Sequence, residues 1–214
     1  WIGSSPVQKH VFSKAKLSAA FVEQFDFARG VLVGGHNRAN FYCAWKVHEL
    51  LGTPTLSTLF QKFIETFPGV EHRLEYVGTF DGLRVYNDAK STNGEATRTA
   101  LAAFEGSGPL FLVVGGKLRN ESDRLLPDLL PFKNRLTRVF TMGETTTRLL
   151  NELKGEFAVE PGYDLDGVLK KVKELKLKGD LVFSPAHPSF DQFKNYVNRG
   201  ETFKERVRFW LGPV

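Results

Sequence analysis

The chain has 214 residues, of which 42% are hydrophobic and 19 are Phe, so it can bury a sizeable core and is not disordered. A single cysteine, Cys43, excludes a disulfide framework and cannot make a zinc site by itself. No apolar run approaches the roughly 20 residues of a membrane span and no signal peptide is visible, so we expect a cytoplasmic protein. Because the chain opens with Trp1 and its only methionine is Met142, we also expect it to be part of a longer protein.

The densest basic block in this chain of net charge +5 is LKKVKELKLKGD, residues 169–180. Leu169, Val172 and Leu175 recur there at helical spacing, which is typical of a helix with a solvated lysine face. We therefore expect no nucleic-acid partner, whereas phosphorylated or carboxylated small molecules would suit a basic protein.

The first 70 residues contain one strand pattern and two helical patterns. VLVGGHN, residues 31–37, predicts a short strand that runs into glycines, and residues 38–52 carry apolar side chains on a helical period. A second helix with one apolar face is predicted at about 55–67. The residues of that face are Leu56, Leu59, Phe60, Phe63, Ile64 and Phe67. PGVEHR then interrupts the pattern, so we place a domain boundary near residue 70.

The remainder predicts a doubly wound α/β domain with a mostly parallel sheet. Residues 74–88 alternate in polarity around Asp81-Gly82, a strong hairpin signal, and residues 93–104 then follow a helical period. Four apolar segments come next, namely PLFLVVGG, RVFTMG, GEFAV and DLVFSPA. Helical stretches separate them near 122–131, 144–153 and 164–176. Strands that alternate with helices at this spacing predict a parallel sheet covered on both faces.

Ligands of such sheets bind outside the carboxyl ends of the strands, which selects four loops. These loops are NDAKSTN, GGKLRN, GETTT and SPAHPSFDQF. In the first, Asp88 could accept bonds from a ribose diol, Lys90 could neutralise an anion, and Thr92 could donate to one. The alternative is a polar turn in which Thr92 or Asn93 caps the next helix.

In SPAHPSFDQF, Ser184, Ser189 and nearby backbone N–H groups could grip a carboxylate. The alternative is that Ser189 or Asp191 caps the helix that follows. A catalytic triad with His187 is recognised only by geometry, so sequence cannot establish one.

Two glycine-rich stretches likewise allow either a binding role or a purely structural one. GGKLRN follows a strand like a phosphate or carboxylate loop, but it matches neither G-x-G-x-x-G nor G-x-x-x-x-G-K-[ST], and a tight turn is the alternative. Neither fingerprint occurs in the chain. In GGHNRAN, Asn37 and Asn40 could pair with a base edge, or Asn37 could simply cap the helix.

In their order and spacing, five motifs resemble the Mur ligase family over nearly all of residues 31–214. They are GGHNRAN, FPGVEHRLE, YNDAKSTNGEAT, FLVVGGK and FSPAHPSFDQFKNYVNRGETFKE. The resemblance implies ATP-dependent addition of D-glutamate to UDP-N-acetylmuramoyl-L-alanine, through an acyl phosphate, in peptidoglycan synthesis. It further implies that residues 1–70 end a central ATPase-type α/β domain and that residues 71–214 form a C-terminal Rossmann-like domain.

The resemblance assigns a nucleotide-binding role to five residues. Asn37 and Asn40 match asparagines near the adenine and phosphates of ATP. His72 and Arg73 match a pair beside the nucleotide, with Arg73 toward phosphate, and Asp88 matches the acid that binds the ribose hydroxyls.

The acyl phosphate and D-glutamate are assigned to other residues. Lys90 and Thr92 would face the acyl phosphate and the D-glutamate carboxylates, with Lys90 as the catalytic residue. Ser189, Phe190 and Tyr196 would form the D-glutamate pocket, partly through backbone N–H groups.

One departure concerns GGKLRN, because the family places a D-glutamate-binding lysine in GGxxK. Here that position is Arg119, and Lys117 lies two residues earlier, so either cation could bind D-glutamate in place of that lysine. Arginine binds carboxylates bidentately and is not interchangeable with lysine, so the pocket can be reshaped. A ligase with altered amino-acid specificity is therefore one alternative, and a non-catalytic nucleotide- or amino-acid-binding module is another.

The resemblance also implies ATP and Mg²⁺, with the magnesium ligands outside this chain. We expect a monomer whose partners are ATP, D-glutamate and the UDP-linked substrate. Because the chain lacks the phosphate-binding fingerprint, we expect no turnover by these 214 residues alone.

Overall fold

The computed structural model describes residues 19–30, 34–51, 57–104 and 108–212. The chain divides into two compact units, Trp1–Phe67 and Pro68–Val214. The division lies close to the PGVEHR segment, and the assignment of the two units to two ligase domains stays a prediction. The strand predicted at VLV, residues 31–33, lies outside the described residues.

The described part of the N-terminal unit is helical. It contains α1 at Ala19–Gln24, a 3₁₀ turn at Phe27–Arg29, α2 at Gly35–Leu50 and α3 at Ser57–Thr66. The two helices predicted in this region are thus confirmed as α2 and α3. Of the predicted apolar face of α3, Phe60 and Ile64 are buried, whereas Leu59 remains 61% exposed.

Aromatic rings fill the core of this unit. The buried residues are Phe21, Phe25, Phe41, Trp45, Phe60 and Ile64. The rings of Phe25 and Phe60 each meet Trp45 edge-on, with centroids 4.9 Å apart. Such pairs contribute beyond the area that they bury, so rings hold these short helices together.

A six-stranded sheet organises the C-terminal unit. Its strands are β1 at Glu75–Phe80, β2 at Leu83–Asn87, β3 at Leu110–Gly115, β4 at Leu136–Met142, β5 at Val159–Tyr163 and β6 at Gly179–Phe183. Their order is β1-β2-β6-β3-β4-β5. All neighbours pair in parallel except β1, which is an antiparallel edge strand on β2. The predicted α/β fold with a mostly parallel sheet is confirmed.

Helices connect the strands and cover the sheet. They are α4 at Gly94–Leu101, α5 at Leu126–Leu129 followed by a 3₁₀ turn at Leu130–Phe132, α6 at Thr146–Leu153, α7 at Leu165–Glu174 and α8 at Tyr196–Leu211. Every residue of β3 is buried, as expected of a strand covered on both faces. In α7, Leu169 and Val172 are buried and Lys170 between them is exposed, which confirms a helix over the first half of the basic block. Leu175 follows the end of α7 and is 42% exposed, so its predicted place on the apolar face is wrong. None of the described helices is long and apolar enough to cross a membrane.

Two predicted elements need correction. The helix predicted near 122–131 is only four residues long, because Pro127 sets its start and Pro131 lies in the 3₁₀ turn after it. The strand predicted at GEFAV begins only at Val159 and continues through Pro161. An edge strand tolerates a proline, since one side of its backbone needs no ladder partner.

The β1–β2 hairpin turns at Asp81 and Gly82, as predicted. Both residues have positive φ, 46° and 83°, which matches the twist of tightly paired strands. A Cβ added at Gly82 would meet only the Lys178 side chain, at 3.5 Å, so the backbone angle is the main constraint there.

We therefore expect Gly82→Ala to lower the free energy of unfolding by about 1–2 kcal/mol, the cost of a left-handed conformation for an L-residue. Urea unfolding followed by circular dichroism measures the change. Gly155→Ala is the matched control, because a Cβ at Gly155 meets nothing within 4 Å. Equal stabilities of the two variants would show that the turn angle is not the constraint.

Candidate functional site

The four loops selected from sequence lie at the carboxyl edge of the sheet, and backbone hydrogen bonds join them. The N–H of Asp88 donates to the carbonyl of Phe183 at 2.8 Å, and that of Gly115 donates to Pro185 at 2.8 Å. The loop after β3 continues this contact, because the N–H of Lys117 donates to Pro188 at 2.9 Å. The loop after β6, residues 184–195, is thus tied to the loops after β2 and β3.

Asp88 is buried and its carboxylate is held by three donors. The N–H of Leu74 reaches Oδ1 at 3.1 Å, while the hydroxyls of Ser91 and Ser184 reach Oδ2 at 2.5 and 2.7 Å. Burial raises the pKa of Asp88, and these donors together with the charge of Arg73 oppose that rise. The contacts with Leu74 and Ser184 join separate segments of the chain, so Asp88 organises the loops in addition to any bond that it makes to a ligand.

Ser184 does not form a catalytic triad with His187. Its hydroxyl bonds Asp88 directly, and Thr97 lies 2.9 Å away on its other side. His187 instead points Nδ1 at the carbonyl of Pro185, 3.1 Å away. Burial lowers the pKa of His187, which that carbonyl opposes. Histidine and serine therefore face different partners, and a triad mechanism has no support.

His72 is buried in a strained backbone conformation with φ of 62°. Nδ2 of Asn87 lies 3.0 Å from His72 Nδ1 and 3.0 Å from a carboxylate oxygen of Glu75. Because the Asn87 carbonyl accepts from the N–H of Ala89, its amide nitrogen faces the histidine as the donor. Nδ1 of His72 therefore accepts this bond, while Nε2 is buried without a hydrogen-bond partner among the described residues.

The carboxylates near His72 belong to an ion-pair network. Glu71, His72 and Glu75 bring potential ligand atoms within 4.8 Å of one another. However, Nζ of Lys204 donates to Glu71 at 2.6 Å and to Glu75 at 3.0 Å. The Lys204 ammonium already bonds both carboxylates, and Mg²⁺ prefers several oxygen ligands in octahedral geometry, so this cluster does not fit Mg²⁺.

Lys90, His72 and Tyr196 come together although they are far apart in sequence. The N–H of Lys90 donates to the carbonyl of His72 at 3.1 Å. The Lys90 ammonium lies 5.4 Å from the centroid of the Tyr196 ring, and the His72 ring meets the same tyrosine edge-on at 6.2 Å. Lys90 itself is exposed, so its charge is available to an anion.

Lys117 and Arg119 point to different partners. Nζ of Lys117 lies 3.4 Å from the carboxylate of Glu144. The guanidinium of Arg119 instead donates to the carbonyl of Thr92 at 3.2 Å. Arg119 therefore lies beside the loop that carries Lys90 and Thr92, which favours it over Lys117 as the cation of a shared site.

The remaining predicted residues are distributed as follows. Ser189 is buried while Phe190 is 67% exposed. Arg73 is also exposed. Asn37 and Asn40 lie in the first turns of α2, in the N-terminal unit.

The helix caps settle three of the open alternatives. Asn93, not Thr92, caps α4 through its side chain, which accepts from the N–H of Ala96 at 2.8 Å. Asn195 caps α8, so the capping roles considered for Ser189 and Asp191 are wrong. The loop after β6 runs on to residue 195, and the Asp191 carboxylate accepts from the N–H of Glu144 instead. The N-cap of α2 is Gly34, not Asn37.

The sequence prediction missed Arg199. This side chain is fully buried in α8, and it donates to the carbonyls of His187 at 2.8 Å and Ala89 at 2.9 Å. Burial lowers its pKa to about 10. Arg199 precedes Phe203 and Val207 at intervals of four, so helical periodicity placed it on the buried face of α8.

Curated relatives resemble the chain over most of its length. The UDP-N-acetylmuramoylalanine–D-glutamate ligase of Oenococcus oeni is 37% identical over 190 residues, which cover 86% of this chain and 41% of that protein. The enzyme of the same name from Geobacillus kaustophilus is 36% identical, covering 94% of this chain and 46% of that protein. The chain thus spans less than half the length of these relatives. No protein-family model matches it.

Solved structures agree on the fold. The folylpolyglutamate synthase of Mycobacterium tuberculosis, complexed with ADP and AMPPCP, superposes with a TM-score of 0.51 at 16% identity. The match covers 86% of this chain and 42% of that one. The α/β domain and its curated relatives therefore confirm the resemblance to the Mur ligase family. Within that family, the chain is similar to the UDP-N-acetylmuramoylalanine–D-glutamate ligases.

Because Ser184 donates to Asp88, we expect Ser184→Ala to change the pKa of Asp88. Removing one donor to the carboxylate should raise the pKa of Asp88 further, as a carbon-detected NMR titration of its carboxyl group can measure. A raised folded-state pKa means that the free energy of unfolding falls as the pH rises from about 4, the ordinary aspartate pKa, through the raised value. The free energy of unfolding of the Ser184→Ala variant should therefore fall more over this pH range than that of the unsubstituted chain.

The control for Ser184→Ala is Thr99→Ala, which removes an exposed hydroxyl on α4 that bonds only the carbonyl of Glu95. This variant should leave the pKa of Asp88 unchanged. An Asp88 pKa in Ser184→Ala at or below that of the unsubstituted chain would contradict the assignment of Ser184 as a donor.

Proposed function

We propose that the chain is the C-terminal part of a cytoplasmic, ATP-dependent ligase that adds D-glutamate to UDP-N-acetylmuramoyl-L-alanine. The similarity to curated D-glutamate ligases over 86% of the chain supports the reaction. The main structural support for the site is the contact of Arg119 with Thr92, which brings the loops after β2 and β3 together. Two exposed cations, Lys90 and Arg119, are thereby available to anions in the same place.

The chemistry needs cations at this position. A carboxylate is a poor electrophile, so ATP transfers its γ-phosphoryl group to the substrate carboxylate and leaves as ADP. The amine of D-glutamate then attacks the acyl carbon, a C–N bond forms, inorganic phosphate leaves and the amine loses a proton. Negative charge gathers on the acyl phosphate and on the two carboxylates of D-glutamate, and fixed cations stabilise it.

We assign the residues as follows. Lys90 faces the acyl phosphate, and its charge stabilises the departing phosphate. Thr92 and Arg119 bind D-glutamate carboxylates, while Ser189, Phe190 and Tyr196 line the remainder of that pocket.

On the nucleotide side, Arg73 binds phosphate and His72 lies beside it. Asp88 binds ribose with whatever acceptor capacity its three internal bonds leave free. By the resemblance, Asn37 and Asn40 bind near the adenine and phosphates of ATP. A related fold that is complexed with ADP and AMPPCP supports a nucleotide as the other ligand. Mg²⁺ would offset the charge of ATP, and its ligands are expected among residues outside this sequence.

Turnover tests the proposal directly. Phosphate release that requires ATP, D-glutamate and the UDP-linked acceptor together is expected from the ligase that carries this sequence. The 214-residue chain alone is expected to release none, because it contains no G-x-x-x-x-G-K-[ST] fingerprint. A longer protein that binds ATP but shows no turnover with any amino acid would instead indicate a binding module.

Arg119→Ala in that ligase should raise the D-glutamate KM by about tenfold or more, since a charge-assisted bond to a carboxylate is lost. The KM for ATP should change little. Lys117→Ala is the control, because Lys117 pairs with the exposed Glu144 and not with the Thr92 loop. An unchanged D-glutamate KM in Arg119→Ala would refute the assignment.

Arginine at this position also favours a second candidate, a ligase of the same type with altered amino-acid specificity. The bidentate geometry of arginine suits a carboxylate at a different distance from that which lysine requires. A panel of D- and L-amino acids assayed with the same enzyme separates the two. A kcat/KM higher for another acidic amino acid than for D-glutamate would replace the leading proposal by this one.

A further inference from the structure

Arg199 joins two loops of the site from beneath. One guanidinium nitrogen donates to Ala89, the residue before Lys90, and the other donates to His187, two residues before Ser189. The first loop would hold the acyl phosphate and the second would hold D-glutamate. No other described side chain donates to both of these loops.

The loop after β3 lies close to Arg199 because glycine occupies position 116. A Cβ added at Gly116 would lie 2.3 Å from the carbonyl of Pro188 and 3.2 Å from the Arg199 guanidinium. Glycine at that position therefore lets the loop after β3 lie against both the arginine and the loop after β6. Three loops thus converge on one buried cation.

Stability alone explains such a cation poorly. Both hydrogen-bond partners of Arg199 are neutral carbonyls, and Nε is buried without a partner among the described residues. The carboxylates of Asp88 and Asp191 act on its charge only through space. A charge buried without a bonded carboxylate is expensive, and replacing buried charged groups by apolar ones of similar volume is often neutral or stabilising. What the guanidinium supplies instead is geometry, because its planar donors diverge in fixed directions.

We propose that Arg199 is a positioning residue of the ligase reaction, which fixes the separation between Lys90 and the Ser189–Phe190 turn. This inference rests on the proposed function of the two loops. Arg199 touches neither substrate, and it acts through Ala89 and His187. A difference of an ångström between these loops changes how the amine of D-glutamate meets the acyl carbon, and such displacements alter rates strongly.

The first experiment measures the loops without any reaction. Amide hydrogen exchange is compared among the unsubstituted 214-residue chain, Arg199→Met and the control Arg208→Met, which alters an exposed arginine of the same helix. In Arg199→Met, the N–H groups of Lys90 and Phe193, which donate to the carbonyls of His72 and Ser189, should exchange about tenfold faster or more, since bonds from charged donors are among the stronger ones. The amides of β3 and β4 should keep their rates.

Arg199→Lys covers the case in which the methionine variant does not fold. It keeps the charge but replaces a rigid fork by a single ammonium, so it should show an intermediate acceleration in the same loops. Acceleration spread equally over loops and strands would overturn the inference, because it indicates a general loss of stability. Unchanged loop rates in a folded variant would overturn it as well.

The second experiment uses the ligase that carries this sequence. Arg199→Met should lower kcat about tenfold or more, with a smaller change in the KM for ATP, while Arg208→Met keeps the original rate. Normal kcat in Arg199→Met contradicts the positioning role and leaves the proposed function standing. Absence of turnover in the unsubstituted ligase contradicts the proposed function, and hydrogen exchange then decides by itself whether Arg199 holds the loops.

Discussion

The candidate site depends on the insertion of β6 between β2 and β3. Phe183 is in register with Asn87 on one side and with Val113 on the other, so the ends of three parallel strands lie next to one another. The strands connect in the order β2, β3, β4, β5 and β6, and the last of them returns to the middle of the sheet. This return brings residues 184–195 against segments that are about 70 to 100 positions earlier in the chain. Without the insertion of β6 beside β2, Asp88 and Ser184 would not be neighbours, and their hydrogen bond could not form.

Polar groups buried at this edge satisfy one another in chains of hydrogen bonds, and their cost is offset in that way. One chain runs from Leu74 through Asp88 and Ser184 to Thr97, and it joins β2, β6 and α4. A second runs from His72 through Asn87 and Glu75 to Lys204 of α8. The exposed groups, Lys90 and Arg119, extend from this hydrogen-bonded base.

The sequence predicted the sheet, the hairpin and the position of the loops, because apolar periodicity and Asp81-Gly82 are local signals. It could not predict which of several polar residues caps a helix, since Thr92, Asn93, Ser189 and Asn195 have similar local chemistry. The start of β5 at Val159 depends on pairing with β4, a tertiary contact. Arg199 was missed for another reason. An arginine normally indicates solvent, and only its spacing with Phe203 pointed to the interior. The partners of Lys117 and Arg119 likewise depend on loop geometry that spacing does not encode.

Three residues of α8 each contact a loop or side chain of the candidate site. Tyr196 lies against His72 and Lys90, and Arg199 holds the loops after β2 and β6. At Gly200 there is no room for a Cβ, which would lie 2.3 Å from Nδ1 of His72. Under the proposed function, the nucleotide side and the amino-acid side of the site would share one 16-residue helix as their common support. Substitutions at these positions perturb the same rigid element, so their effects on the two ligands combine non-additively. Under that function, a change of amino-acid preference through α8 would also alter the support of the nucleotide.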